Sequence, residues 1–184
     1  MNNIELQFEE YDPKKHGEML ENWRNDTGRF EKSVENYKKF GLLVDYPNIN
    51  EMLSVYDPIT TDQETLKILV FFNENKKDVG VAVIDHVTYE NKKTTLSIFH
   101  IIIRPDEQGK KYGAYIMKQI IDNGEQIIGR RVDEVCASVD VNNDPSKKLM
   151  EKMGMTPLVQ DGNYMIYAYS ISRENERGNN EKNI

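Results

Sequence analysis

Between Ile98 and Ala114 an apolar run, Ile98-Phe99-His100-Ile101-Ile102-Ile103, drives into Arg104-Pro105 and then into a polar stretch carrying Gly109 and Gly113. Proline has no backbone N–H, so it ends ladder pairing and closes the predicted strand. A turn through Gly109 and a helix opening near Tyr112-Gly113 follow. Strand, glycine-bearing turn and helix start together aim several backbone N–H groups at one point. The helix dipole adds partial positive charge there, which favours an anion such as a pyrophosphate. Gly113 has no side chain to keep a ligand away from the helix. Lys110 and Lys111 add charge at the mouth. The same residues also fit a plain strand–loop–helix corner with a solvated lysine pair.

The rest of the chain must build a scaffold for that corner. Alternation of Ile4, Leu6 and Phe8 predicts a first strand, broken at Asp12-Pro13. Met19, Leu20 and Trp23 recur at helical spacing between Lys14 and Asn25, with Trp23 in the core, and Phe30, Val34, Tyr37 and Phe40 do so in a second helix closed by Gly41. Three strands over Leu66–Phe72, Val79–Val87 and Thr94–Ile103 are joined by short polar turns and read as an antiparallel meander. A helix from Gly113 to about Ile128, a strand over Val132–Val141, a short helix over Pro145–Met153 and a last strand over Asn163–Ile171 complete the pattern. Meander and crossover connections are mixed, so the class is α+β around one sheet. Residues 1–172 are expected to form one domain, and 173–184 are too polar to join a core and are expected to be disordered.

Charge and cysteine usage narrow the function classes. The net charge of −7 disfavours a nucleic-acid partner and suits a cationic one. No apolar run approaches the roughly 18–20 residues of a membrane span, and the first residues show no signal peptide. A single thiol, Cys136 within Val135-Cys136-Ala137, forms no internal disulfide, which points to the cytoplasm and to a buried structural cysteine. Three histidines and one cysteine, far apart, offer no metal-ligand spacing.

The central segment resembles the acetyl-CoA signature of the GCN5-related N-acetyltransferase (GNAT) superfamily, in which an apolar-x-Pro step precedes Gln/Arg-x-x-Gly-x-Gly/Ala. Ile103-Arg104-Pro105 matches the step, and Gln108, Gly113 and Ala114 match the signature, whereas Lys111 stands where the middle glycine belongs. A second segment, Asn143 to Met155, resembles the family's Asn-x-x-Ala/Ser-x-x-Leu-Tyr-Glu-Lys-x-Gly-Phe unit. Asn143, Ser146, Leu149, Glu151, Lys152 and Gly154 match it, and Met150 and Met155 replace the aromatics.

The resemblance implies an α+β fold with a mixed, mostly antiparallel central sheet, splayed parallel strands and flanking helices. It implies acetyl-CoA as co-substrate and no metal. The pantetheine arm would pair with the backbone of Ile101 and Ile103, and the N–H near Ile101 or Ile102 would polarise the acetyl carbonyl. The pyrophosphate would sit on the amides of Gln108, Gly109, Lys110, Lys111, Tyr112, Gly113 and Ala114. Asn143 and Met150 would flank the cofactor. The amine attacks directly.

A lysine-like amine is neutral in roughly one molecule in 2,500 at pH 7, a cost of about 4.6 kcal/mol, so a base helps. The position where many relatives carry glutamate is Ser97. Asp85, His86 and His100 on neighbouring predicted strands are further candidates. Met150 replaces the tyrosine that protonates the leaving thiolate in many relatives, which leaves solvent, Tyr164 or Tyr167 as donor. Each of these side chains also fits an ordinary structural role. Glu18, Glu21, Asp26 and Glu31 on the first helices would attract a cationic amine or form a solvated face.

The leading expectation is therefore an N-acetyltransferase acting on an amine of a small molecule or protein, with no nucleic-acid or membrane partner. The alternative is a non-catalytic acyl-CoA-binding sensor. A phosphate-binding nucleotide hydrolase is disfavoured because Gly-Lys-Ser/Thr after a four-residue spacer is absent. The acceptor and the oligomeric state, a homodimer included, stay open.

Overall fold

The computed structural model describes residues 6–21, 53 and 65–172. The helix expected over Phe30–Phe40, Trp23, Asp26, Glu31 and the tail 173–184 lie outside the described residues. The order is β1 (Gln7–Glu10), α1 (Pro13–Glu21), β2 (Lys67–Phe72), β3 (Asp78–Thr88), β4 (Thr94–Ile103), a short 3₁₀ turn (Pro105–Glu107), α2 (Tyr112–Ile128), β5 (Glu134–Asp140), α3 (Asp144–Lys152), β6 (Thr156–Asp161) and β7 (Tyr164–Ser170). The strands form one seven-stranded sheet in the order β1-β2-β3-β4-β5-β7-β6. Every pairing is antiparallel except β4 with β5. This is the mixed, mostly antiparallel α+β sheet expected, with the predicted meander at its centre.

Two expectations shift. Ile4 lies outside the described residues; the described first strand is Gln7–Glu10, with buried Leu6 just ahead of it. Asp12 does not merely break that strand. Its Oδ1 accepts from the Lys14 N–H at 2.8 Å, which starts α1. Strand β6 is absent from the expectation altogether. Its residues are exposed throughout, so no buried apolar run announces it, and only the Asp161-Gly162 turn before β7 does.

Burial explains the central strands. β2 and β3 read as nearly continuous apolar runs because both sheet faces are covered. On one face Leu69, Ala82, Ile84, Leu96 and Ile98 pack against Ile116, Met117, Ile120 and Ile121 of α2. On the other, Ile68, Val70, Val81, Val83 and Ile102 pack with Leu20 of α1 and Leu53. At about 1.5–3 kcal/mol per buried aliphatic side chain, these layers supply the dominant stabilisation. Gly80 sits where β3 meets both β4 and α2. A Cβ there would lie 2.6 Å from Ile116 Cδ1 and 3.1 Å from the Ile102 carbonyl oxygen.

The register between β3 and β4 slips in the middle. Val83 pairs with His100 and Ile84 with Ile98, so Phe99 is an extra residue in a β-bulge and points outward, exposed. The bulge exchanges the faces of β4. Before it, Leu96 and Ile98 face α2, whereas beyond it Ile101 and Ile103 do.

Candidate functional site

The bulge falls where the parallel pair comes apart. β4 and β5 are paired only from Thr95–Glu134 to Ile98–Ala137. Past that point β5 pairs with β7 alone, and a cleft of about 250 Å³ opens between the strands. Ile101 and Ile103 form one wall, Ser138 and Val139 the other, and Asn143, Leu149 and Met150 come in from α3. A second, shallower cleft of about 370 Å³ lies over the N-terminus of α2, lined by Gln108, Gly109, Lys111, Tyr112, Gly113 and Ala114. Ile103, Gly113, Pro145 and Leu149 line both clefts, so together they make one trough from the helix start into the strand gap.

The loop between β4 and α2 is held by charge. Arg104 Nη1 donates to Asp78 Oδ1 at 2.7 Å and its Nε to Asp106 Oδ1 at 2.7 Å. Lys77 Nζ reaches both Asp106 and Glu107 at 2.6 Å. Burial raises the Glu107 carboxyl, but Lys77 and Lys110 outweigh it and hold its pKa below the ordinary carboxylate range. Lys110 Nζ sits 2.9 Å from Glu107 Oε2 and does not line the clefts. The charge expected from the Lys110–Lys111 pair is thus divided: Lys110 braces the loop, and Lys111 faces the trough.

Lys111 has φ 70° and ψ 10°, the left-handed conformation a glycine would take. The turn therefore keeps its shape without the glycine, at a cost of about 1 kcal/mol for the Cβ. Replacing Lys111 by glycine is expected to raise thermal stability by up to about 1 kcal/mol. A variant that melts below the wild type would show that the Lys111 side chain stabilises the turn.

Asn143 caps α3, its Oδ1 accepting from the Ser146 N–H at 3.2 Å, and it is buried at the cleft wall. The acid–base candidates separate. His100 and Tyr164 line the cleft from β4 and β7, the latter 43% exposed. Tyr167 is buried in the core. Asp85, Ser97 and Cys136 stand in one cross-strand row by register. Asp85 Oδ1 accepts from the His86 N–H at 2.7 Å, and Ser97 Oγ lies 3.2 Å from Cys136 Sγ. Neither Asp85 nor Ser97 lines the trough. Cys136 is half-buried, and burial pushes its thiol up, which favours the protonated form. His86 is buried, its Nδ1 3.1 Å from the Thr65 carbonyl oxygen. On α1, Glu18 flanks a recess beside Arg104 rather than the trough. Among the described residues no group of three His, Cys, Asp or Glu could hold a metal, and no helix is long and apolar enough to cross a membrane.

His100 makes a pH prediction. Burial lowers its pKa from 6.5 to about 4. Between these values the unfolded chain takes a proton that the folded chain refuses, so stability falls as pH falls from 6.5 towards 4. The difference in unfolding free energy between wild type and His100→Gln should therefore change by on the order of 3 kcal/mol from pH 7 to pH 4. Parallel pH profiles would refute it.

Sequence reasoning placed Asn143 and Met150 at the site but missed the bulge and the outer face of α3. A Phe99-His100 step that breaks alternation signals the first. Pro145, Lys148, Leu149 and Lys152, at spacings of three, four and seven, signal the second.

Comparison with known proteins bears on the fold and the family. No curated protein sequence matches the chain. A domain from Methanocaldococcus jannaschii superposes with a TM-score of 0.65 at 19% identity, covering 92% of this chain and 100% of that one. Spermidine N-acetyltransferase from Vibrio cholerae, solved with CoA and spermine, gives 0.60 at 16% identity, covering 89% and 92%. The N-acetyltransferase PseH of Campylobacter jejuni gives 0.58 at 16% identity, covering 91% and 99%. At these identities the likeness shows the fold. The sequence profile of the acetyltransferase (GNAT) domain matches residues 10–156, most of the chain. By that match, the chain belongs to the GNAT acetyltransferase family.

Proposed function

We propose that this protein binds acetyl-CoA and transfers its acetyl group to an amine by direct attack. The observation that carries this is the continuous trough through Ile103, Gly113, Pro145 and Leu149. Its inner end offers the β4 edge beyond Ile98, where pairing with β5 has ended. Its outer end offers the amides at the start of α2, a long helix whose dipole suits a pyrophosphate. An extended, amide-bearing arm with an anionic end fits that shape.

When bound, acetyl-CoA supplies an activated acetyl thioester. The protein's part is to align the two reactants and exclude water, which supplies much of the catalysis. The backbone N–H near Ile101 or Ile102, beyond the bulge, polarises the carbonyl. His100, kept neutral by burial, accepts a hydrogen bond from the incoming amine or a bridging water. Tyr164 donates a proton to the departing sulfur. Tyr164→Phe should therefore lower kcat by roughly 10²-fold with the KM for acetyl-CoA nearly unchanged. An unaltered kcat removes Tyr164 from the mechanism.

The acidic net charge favours a cationic acceptor. A polyamine belongs in the first panel, since one structural neighbour is a spermidine N-acetyltransferase. The single Cys136 suits a reducing, cytoplasmic setting. Calorimetric titration with acetyl-CoA tests binding, and absence of binding at millimolar cofactor defeats the proposal. Met150 in a tyrosine's place favours a second reading, a non-catalytic acyl-CoA sensor. Free-thiol release with a panel of polyamines, amino sugars and peptide N-termini separates them, because acetylation well above the uncatalysed rate rules out the sensor.

A further inference from the structure

The face that α3 turns to the trough carries two lysines. Pro145, Lys148, Leu149 and Lys152 all line the cleft over the α2 N-terminus, and their spacing places them on one helix face. Pro145 and Leu149 also line the inner cleft, but Lys148 and Lys152 do not. The lysines therefore mark the outer end of the trough, away from the strand gap. Lys111 approaches the same cleft from the opposite side.

These three differ from the neighbouring cations. Lys77 is engaged by Asp106 and Glu107, Lys110 by Glu107 and Lys147 by Asp144. Lys147 also donates to the Val141 carbonyl at 2.6 Å. Among the described residues no carboxylate forms an ion pair with Lys111, Lys148 or Lys152, and all three are exposed. In a chain of net charge −7, three exposed ammonium groups with no carboxylate in ion-pair range around one concavity make a local cationic patch that favours an anionic occupant. The pyrophosphate is already provided for by the loop amides and the α2 dipole. What remains of coenzyme A is the phosphomonoester on its ribose 3′ carbon, a near-dianion at neutral pH that amides alone serve poorly.

Resting on the acetyl-CoA reading above, we infer that Lys148 and Lys152, assisted by Lys111, bind the 3′-phosphate and make this protein selective for coenzyme A thioesters over their 3′-dephospho forms. The selectivity lives on α3 rather than on the signature loop. It therefore separates from pyrophosphate binding by mutation.

The test is a calorimetric titration of the full chain with acetyl-CoA and with 3′-dephospho-acetyl-CoA. It is run on wild type and on Lys148→Gln/Lys152→Gln, with thermal melting of both proteins. Wild type should bind acetyl-CoA at least about ten-fold more tightly than the dephospho form, the worth of one charged hydrogen-bonded contact. In the double variant that ratio should collapse towards one, while affinity for the dephospho form and the melting temperature stay as in wild type. Equal wild-type affinity for the two ligands overturns the inference and leaves the acetyl-CoA reading intact. Equal loss of both ligands in the variant also overturns it, because the lysines then serve the pyrophosphate or the fold. Failure of wild type to bind either ligand overturns the acetyl-CoA reading and this inference with it.

Discussion

Gly113→Leu is expected to weaken acetyl-CoA binding severely in a protein that still folds. A Cβ added at Gly113 would lie 3.8 Å from Ile103 Cγ1 and 3.8 Å from Leu149 Cδ2, which is ordinary contact. Alanine is therefore accommodated. Leucine adds three more carbons, and the space they enter is the junction of the two clefts, because Gly113 lines both. A ligand lying along the trough must cross that point. We expect acetyl-CoA affinity to fall by roughly 100-fold or more, about 2.7 kcal/mol, with Gly113→Ala within about three-fold of wild type on the same scale. Calorimetry measures the affinities, and circular dichroism melting confirms the fold. A leucine variant that binds as wild type does would falsify the path proposed for the ligand.

Gly80→Ala is expected to give the largest loss of stability from a single added methyl group. The new carbon would meet Ile116 Cδ1 at 2.6 Å, Ile103 Cδ1 at 3.1 Å and the Ile102 carbonyl oxygen at 3.1 Å. The first two are ends of flexible side chains, but the third is backbone of the neighbouring strand. Overpacking of this kind costs about 1–3 kcal/mol, and in a chain of this size each kcal/mol lowers the melting temperature by roughly 2–4 °C. The affected carbonyl belongs to β4 beyond the bulge, so acetyl-CoA binding should weaken as well. Ile116→Val removes the closest clashing atom at its own cost of about 0.5–1.5 kcal/mol. In the double variant the two losses should not add. A favourable coupling of at least about 0.5 kcal/mol in the double-mutant cycle is the expected signature. Strict additivity would mean that the strand, not the Ile116 side chain, yields.

Local chemistry wrote much of this protein into its sequence. Pro105 ends β4, the apolar spacing of Ile116, Ile120 and Ile121 sets α2 against the sheet, and Asn143 caps α3. Each depends on neighbours within a few residues, so the strand–turn–helix corner and the family resemblance were legible along the chain. What the sequence left open depends on partners far apart. The β-bulge at Phe99 is defined only by the register of β4 against β3, and it decides that Ile101 and Ile103, rather than the buried Ile102 between them, face the cleft. The strand gap exists because β5 stops pairing with β4 after Ala137 while it stays paired with β7 to Asp140. Ser97 looked like the base position, yet its neighbour across the sheet is Cys136. Lys110 and Lys111 are adjacent and chemically alike. Only the fold, by bringing buried Glu107 to one and placing the other with the α3 lysines around one cleft, divides them into a brace and a residue that lines the trough. Periodicity reports which face a residue is on, but ion-pair partners and strand register are pairings between distant segments, and those are settled when the chain closes on itself.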